Sequence, residues 1–283
     1  MKTYLDCIPC FVRQSLDSVR FVTADEAIQM QIMREVLQIA ANLDLSQPPP
    51  MMAQVVHRRI RELTHIDDPF REVKDQQNKL ALELSRELRQ QKPPEMAPLE
   101  FAARLAIAGN IIDLGAKSGL AESDIRAAML TTLEEPIHGD IKQLEQLVDQ
   151  AEKILYLTDN AGEIVFDRLL IEQLPVERVT VAVRGTPVIN DATMEDAEFA
   201  GLTELVHVID NGSDAPGTVL SDCSAEFLHY FNTAELIISK GQGNYETLQG
   251  ESAPICFLLR VKCPVIARDA GCQVGQMVIR PPE

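Results

Sequence analysis

KILYLTDNAG, residues 153–162, is where the chain changes its period. Ile154 to Leu157 form a short apolar run. The residues that close it, Thr158, Asp159, Asn160 and Gly162, are those of a strand that ends and turns into a helix. Three runs downstream share this form: RVTVAVRG (178–185), LVHVID (205–210) and ELIISKGQGN (235–244). Each is rich in Val and Ile, and helical stretches alternate with them, which is the pattern of βαβ units around a buried parallel sheet. In open α/β sheets ligands bind beyond the carboxyl ends of the strands. Asp159-Asn160, Arg184, Asp210 and Lys240 are therefore expected at one edge, converging on one cleft.

Upstream of residue 152 the period is helical. Phe11, Val12, Leu16 and Val19 recur at helical spacing, as do Ile28, Ile32, Val36 and Ile39, and then Val55, Val56, Ile60 and Leu63. Prolines at 48–50 and 93–94 punctuate this half. Asp68 before Pro69 predicts an N-cap and first helical position, opening a helix that carries Lys74 and Asn78 through Leu84. A further helix is expected over Phe101 to Ile112, and shorter ones near 123–130 and 141–151. The fold class is α/β, with a mostly helical domain over residues 1–150 and an α/β domain over residues 151–283.

Composition narrows the function. The 283 residues hold 26 Lys and Arg against 43 Asp and Glu, a formal net charge of −17, which repels a phosphate backbone and argues against nucleic acid as a partner. With 46% hydrophobic residues the chain can fill a sizeable core. No apolar run reaches the roughly 18 residues of a membrane span, and MKTYLDCIPCFVRQ lacks the apolar stretch of a signal peptide, so a cytoplasmic protein without a membrane partner is expected. Six cysteines in a chain this long point to reduced thiols rather than a disulfide scaffold. After residue 150 only 9 Lys and Arg accompany 20 Asp and Glu. A cation at a strand end stands out there, and clustered carboxylates suit a divalent cation.

Asp159 and Asn160 offer paired oxygen ligands to a hard divalent cation, although Asp159 could equally be a helix N-cap. Gly162 and Glu163 stand at the expected start of the following helix, whose N-terminus offers backbone N–H groups to an anion. Asp191, in RGTPVINDAT, can add a third oxygen; a turn or cap is its alternative. Lys240 closes an apolar strand in a cation-poor region and can neutralise a phosphate or sulfate. The GQGN turn after it, with Asn244, allows close approach of backbone to ligand. Arg184 is a second candidate for anion binding, with a surface salt bridge as the alternative. Asn110 and Asp113 share one side of an apolar helix, where unpaired polar groups are costly, so they reach a cleft or form a buried structural hydrogen bond. Lys74 and Asn78 repeat that pattern more weakly, on a face open to solvation. Cys7 and Cys10 form C-x-x-C without a second pair, consistent with redox exchange, half a metal site, or reduced and partly buried thiols. The five His residues show no zinc-hydrolase spacing.

These motifs together resemble the metal-dependent damage-control phosphatases, the family catalogued as domain of unknown function eighty-nine, in its C-x-x-C-containing prokaryotic branch. The similarity is carried by CIPC (7–10), DPFREVKDQQN (68–78), AIAGNIIDLG (106–115), DNAGEIVFD (159–167), RGTPVINDAT (184–193), IDNGSDAPGT (209–218) and KGQGNYE (240–246). The resemblance implies a helical domain covering the cleft of a doubly wound, Rossmann-like, mainly parallel α/β domain. It also implies a divalent metal, manganese, nickel, cobalt or magnesium, on Asp159, Asn160 and Asp191. Lys240 with Asn110 and Asp113 is then the surrounding substrate shell, and Asp159 and Lys240 carry catalysis. The activity implied is removal of phosphate from small metabolites. Attack by metal-bound water is favoured over a covalent aspartyl phosphate on Asp159. A binding or redox protein built on Cys7 and Cys10 is the competing class. A carboxyl methyltransferase, as some eukaryotic relatives are described, is disfavoured because no glycine-rich nucleotide loop follows the first strand.

Overall fold

In the computed structural model, which describes residues 1–112 and 121–282, the four predicted runs are neighbouring strands of one sheet. The strands are β1 (Ile137–His138), β2 (Ile154–Leu157), β3 (Val179–Val183), β4 (His207–Asp210), β5 (Leu236–Lys240), β6 (Ile255–Arg260) and β7 (Met277–Arg280). Their order across the sheet is β1-β7-β6-β5-β2-β3-β4. β2 to β6 all run parallel, with Leu157 opposite Ala182 on one side and Ser239 on the other. β7 is antiparallel to β6, and β1 follows β7. Strand order therefore reverses between β2 and β5. Such a switch point opens a crevice at the carboxyl ends, and both Asp159 and Lys240 lie there.

Strand periodicity divides the core. Ile154 and Tyr156 of β2, with Val181, Ile238 and Leu258, face one cluster, while Leu155 and Leu157, with Ala182, Ile237 and Phe257, face another. Each face is covered by helices, which is why the strands are apolar on both sides. Fully burying an aliphatic side chain such as Ile238 or Leu258 stabilises the fold by about 1.5–3 kcal/mol.

The helices of the first half are α1 (Cys7–Val22), α2 (Glu26–Ala41), α3 (Pro49–Thr64), α4 (Arg71–Leu88) and α5 (Pro98–Ala108). α1 to α3 pack around Phe11, Val19, Ile32, Val36, Val56 and Ile60. Leu84 and Leu88 of α4 and Leu105 and Ile107 of α5 join the sheet's own core instead. They meet it through α8 (Glu163–Ile171), which follows α6 (Glu122–Thr131) and α7 (Ile141–Gln150). α9 (Met194–Phe199) lies on this same side, whereas α10 (Ala225–Thr233), α11 (Gly241–Leu248) and α12 (Pro264–Ala270) supply the opposite cluster. No helix among the described residues is long and apolar enough to cross a membrane.

Three local expectations need correction. α4 begins at Arg71 rather than Pro69; Asp68 still accepts the Phe70 N–H at 3.1 Å, as a capping carboxylate does, while its other oxygen takes the Lys74 ammonium at 3.1 Å. GQGN is the first turn of α11 and not a free turn. The helix through Phe101 ends at Ala108, and helical backbone resumes over 110–112 after Gly109. A Cβ at position 109 would lie 3.1 Å from the Glu163 Cα, so glycine lets α5 close onto the start of α8.

Candidate active site

β2 delivers Asp159 and Asn160 to the carboxyl edge, and a single backbone bridge fixes them. The Ala161 N–H donates to the Asn190 carbonyl and the Ala192 N–H to the Asp159 carbonyl, both at 2.8 Å, which sets Asn160 opposite Asp191. The three expected metal ligands are thus brought together by main chain. Asp159 is not a helix cap: α8 has Gly162 at its N-cap, with φ +77 and no side-chain cap bond.

Asp159, Asn160 and Asp191 are all buried. The Asn160 amide donates to Asp159 Oδ2 and to Glu163 Oε1, each at 2.8 Å. Asn110 donates to the same Glu163 oxygen at 2.6 Å. Burial, followed by the neighbouring charges of Glu163 and Asp191, holds the Asp159 carboxyl well above the usual carboxylate range. Burial also raises Asp191, against the opposing pull of Arg184. Gly241 explains how α11 comes so near: a Cβ there would fall 2.1 Å from the Asp159 carboxyl carbon, and its φ of +80 suits glycine.

Arg184 is buried, not a surface residue. Its Nε donates to Asp191 Oδ2 at 2.7 Å and its terminal nitrogens reach Asn244 Oδ1 at 3.1 Å and Thr218 Oγ1 at 3.4 Å. Asn244 in turn donates to the carbonyls of Thr158 and Lys240, at 3.0 and 2.8 Å. Arg184 and Asn244 therefore brace the ends of β2, β3 and β5.

Lys240 has a different setting from an open ammonium awaiting phosphate. It is buried, with Nζ 2.6 Å from Asp167 Oδ1, 2.8 Å from the Ala106 carbonyl and 3.7 Å from Glu163 Oε2. Burial works against its charge, yet Asp167 and Glu163 outweigh burial and raise its pKa. Asp167 also accepts from the Tyr156 hydroxyl at 2.8 Å; burial lifts it to about 6 despite Lys240. Asp167 was not among the expected site residues, although it lies four residues after Glu163 and so on the same face of α8.

Lys74 and Asn78 are not on a solvated face. Lys74 is fully buried, 3.0 Å from Asp196 and 3.1 Å from Asp68. Asn78 donates to Asp196 at 2.8 Å and accepts the Gly162 N–H at 2.7 Å, so α4 holds the loop after β2 and the start of α9 at once. Asp196 is already the partner of Thr193 in a capping box. Asp113 lies outside the described residues. Cys7, half-buried, and Cys10, exposed, are free thiols in the first turn of α1, and partial burial raises the Cys7 thiol. A groove of about 610 Å³ opens at the opposite edge of the sheet, beside Lys153, Val179 and His207, and contains none of the expected site residues.

The chain's likeness to known proteins extends along its length. The damage-control phosphatase ARMT1-like domain matches residues 3–278. A damage-control phosphatase of Archaeoglobus fulgidus is 34% identical, over 97% of this chain and 97% of its own. A damage-control phosphatase of Pyrococcus horikoshii is 34% identical over 98% and 97%. An uncharacterized protein of Methanocaldococcus jannaschii is 36% identical over 97% and 93%. The crystal structure of a DUF89 family protein from P. horikoshii superposes with a TM-score of 0.91 at 33% identity, covering 100% of both chains. With these motifs in this order on this sheet, the chain belongs to the damage-control phosphatase ARMT1-like (DUF89) family.

Proposed function

We propose that the protein is a divalent-metal-dependent phosphatase that hydrolyses phosphomonoesters of small metabolites, as the names of its relatives suggest for this family. The observation that carries the proposal is the pair of buried carboxylates, Asp159 and Asp191, tied by a backbone bridge at the strand switch point. Among the described residues no three His, Cys, Asp or Glu side chains form a ready cluster, and the donor set in this proposal is two carboxylates with the Asn160 amide oxygen. That set fits a hard cation such as magnesium or manganese, and cobalt or nickel can also use it. Burial, with Glu163 and Asp191 beside it, works against the charge of Asp159, the kind of imbalance a dication relieves.

Bound there, the cation supplies Lewis-acid neutralisation of a phosphoryl group. The chain's own residues prepare the geometry. Arg184 fixes the orientation of Asp191, the Asn160 amide bridges Asp159 and Glu163, and Asn110 clamps Glu163 from α5's side. Lys240 keeps the carboxylates of α8 from adding further negative charge to the phosphate's path. Water is the nucleophile in this proposal.

The test is hydrolysis of p-nitrophenyl phosphate with magnesium, manganese, cobalt and nickel in turn, with and without EDTA. Turnover that EDTA abolishes and metal restores is expected. Metal-independent turnover, or none with any of the four metals, would sink the proposal. A parallel assay for methyl transfer to protein carboxylates tests the alternative of a carboxyl methyltransferase, and transfer without phosphate release would overturn the hydrolase reading.

A further inference from the structure

Asp191 reaches the edge of the sheet on a tight turn. Its N–H donates to the Val188 carbonyl at 3.0 Å, which makes Ile189 and Asn190 the two central residues, and Ile189 has φ +46. A first central residue in the left-handed region is ordinarily Gly, Asn or Asp, and a β-branched side chain there is a genuine outlier. The other non-glycine residue with positive φ among the described residues, His65, merely ends α3. Asn190, a residue type that tolerates this conformation, stands one place further on. What Ile brings to position 189 is its side chain. It is buried, and packs with Val188, Phe70 and Val22 in a small apolar cluster apart from the three larger ones. Phe70, just before α4, stacks on Phe21 of α1 with ring centroids 4.9 Å apart, and Arg61 of α3 donates to the Pro187 carbonyl at 2.9 Å. Three parts of the helical half therefore converge on residues 187–189.

We propose that Ile189 is a positioning residue: gripped by Phe70 and Val22, it holds the left-handed turn that carries Asn190 and Asp191 to Asp159 and Asn160. The inference rests on the phosphatase proposal for the use made of Asp191, and adds that the helical half helps to shape the proposed metal site. Strain of this kind persists only where the surrounding packing over-determines it, and it gathers at ligand clamps. Both bonds of the backbone bridge depend on the turn, Ala161 N–H to the Asn190 carbonyl and Ala192 N–H to the Asp159 carbonyl. Once the grip is lost the turn relaxes and both bonds open, while β2 and β3 keep the register set by their own ladder.

Amide hydrogen exchange of the metal-free protein, followed residue by residue by NMR, tests this in wild type, Ile189→Val, Ile189→Ala and Ile189→Gly, beside a calorimetric manganese titration of each. Ala161 and Ala192 should exchange about tenfold faster in Ile189→Ala and Ile189→Gly, with the amides of β2 and β3 unchanged. Manganese should bind these two variants about tenfold more weakly. Ile189→Val, still apolar and β-branched, should restore both readouts. Ile189→Gly is the sharper case, because glycine accepts φ +46 without strain and so removes the grip alone. Wild-type exchange at Ala161 and Ala192 in Ile189→Gly would overturn the proposal, as would a uniform rise across β2 and β3, or wild-type manganese affinity in both truncated variants. A wild type that binds no manganese would remove the metal-dependent reading, and faster exchange confined to Ala161 and Ala192 would still uphold Ile189 as the residue that positions Asp191.

Discussion

Lys240→Met removes the positive member of a buried ion pair and should destabilise the protein in a way that depends on pH. Asp167 and Lys240 are 0% and 1% exposed at the side chain and 2.6 Å apart. Removing one partner of such a pair typically costs about 3–5 kcal/mol, since the other charge stays buried. The pH dependence fixes the cause. In wild type the Asp167 pKa of about 6 lies above its unfolded value of roughly 3.9. Its stabilising share is therefore complete below that unfolded value and is lost as pH rises through about 6, after which wild type is level. Without Lys240 the Asp167 pKa climbs further, so the decline continues at about 1.4 kcal/mol per pH unit. Between about pH 6 and pH 8 the deficit of Lys240→Met should grow by roughly 2–3 kcal/mol. Urea denaturation at both pH values, with equal m-values, measures it. The double variant Lys240→Met/Asp167→Asn should recover most of the loss and show no such growth. A deficit identical at the two pH values would refute the assignment of Asp167 as the stranded charge.

Asp159→Asn should lower both metal affinity and turnover, with excess metal restoring little; equal metal affinity in a calorimetric titration would remove Asp159 from the ligand set. Gly241→Ala would drive a Cβ to 2.1 Å from the Asp159 carboxyl carbon and strain a φ of +80, so activity should fall steeply, and near-normal kinetics would show that α11 need not approach so closely. Cys7→Ser should change phosphatase activity only modestly, and a loss matching that of Asp159→Asn would bring the thiols into the reaction.

The parallel strands were legible because β2, β3 and β5 are short runs rich in Val, Ile and Leu closed by polar residues, a composition that burial on both faces demands. β4, at the sheet edge and partly exposed, showed itself by Val208 and Ile209 alone. β6, β7 and β1 were not read. ICFLLR (255–260) ends in no polar-glycine signature, MVIR (277–280) is only four residues, and Ile137–His138 is a two-residue strand whose identity comes wholly from its neighbour β7. At the site, strand ends located Asp159, Asn160, Arg184 and Lys240, but sequence spacing carries no information on which charges face each other across the sheet. Asp167 is remote from Lys240 in sequence, and Asp196 from Lys74. Burial and partner choice, which turned Lys240 and Lys74 from open cations into paired ones, are properties of packing alone.

The double grip of Asn78 on Gly162 and Asp196 bears on how a substrate gains entry. A clamshell that opened by lifting α4 from the α/β half would strip Asp196 of both Lys74 and Asn78 and leave the loop after β2 untethered. Stranding a buried charge in that way costs several kcal/mol, so such an opened state would be rarely populated. α4 and the α/β half are thus held as one unit at this contact. For the proposed phosphatase, changes of specificity should then map to residues around the carboxyl ends of the strands rather than to a hinge beneath α4.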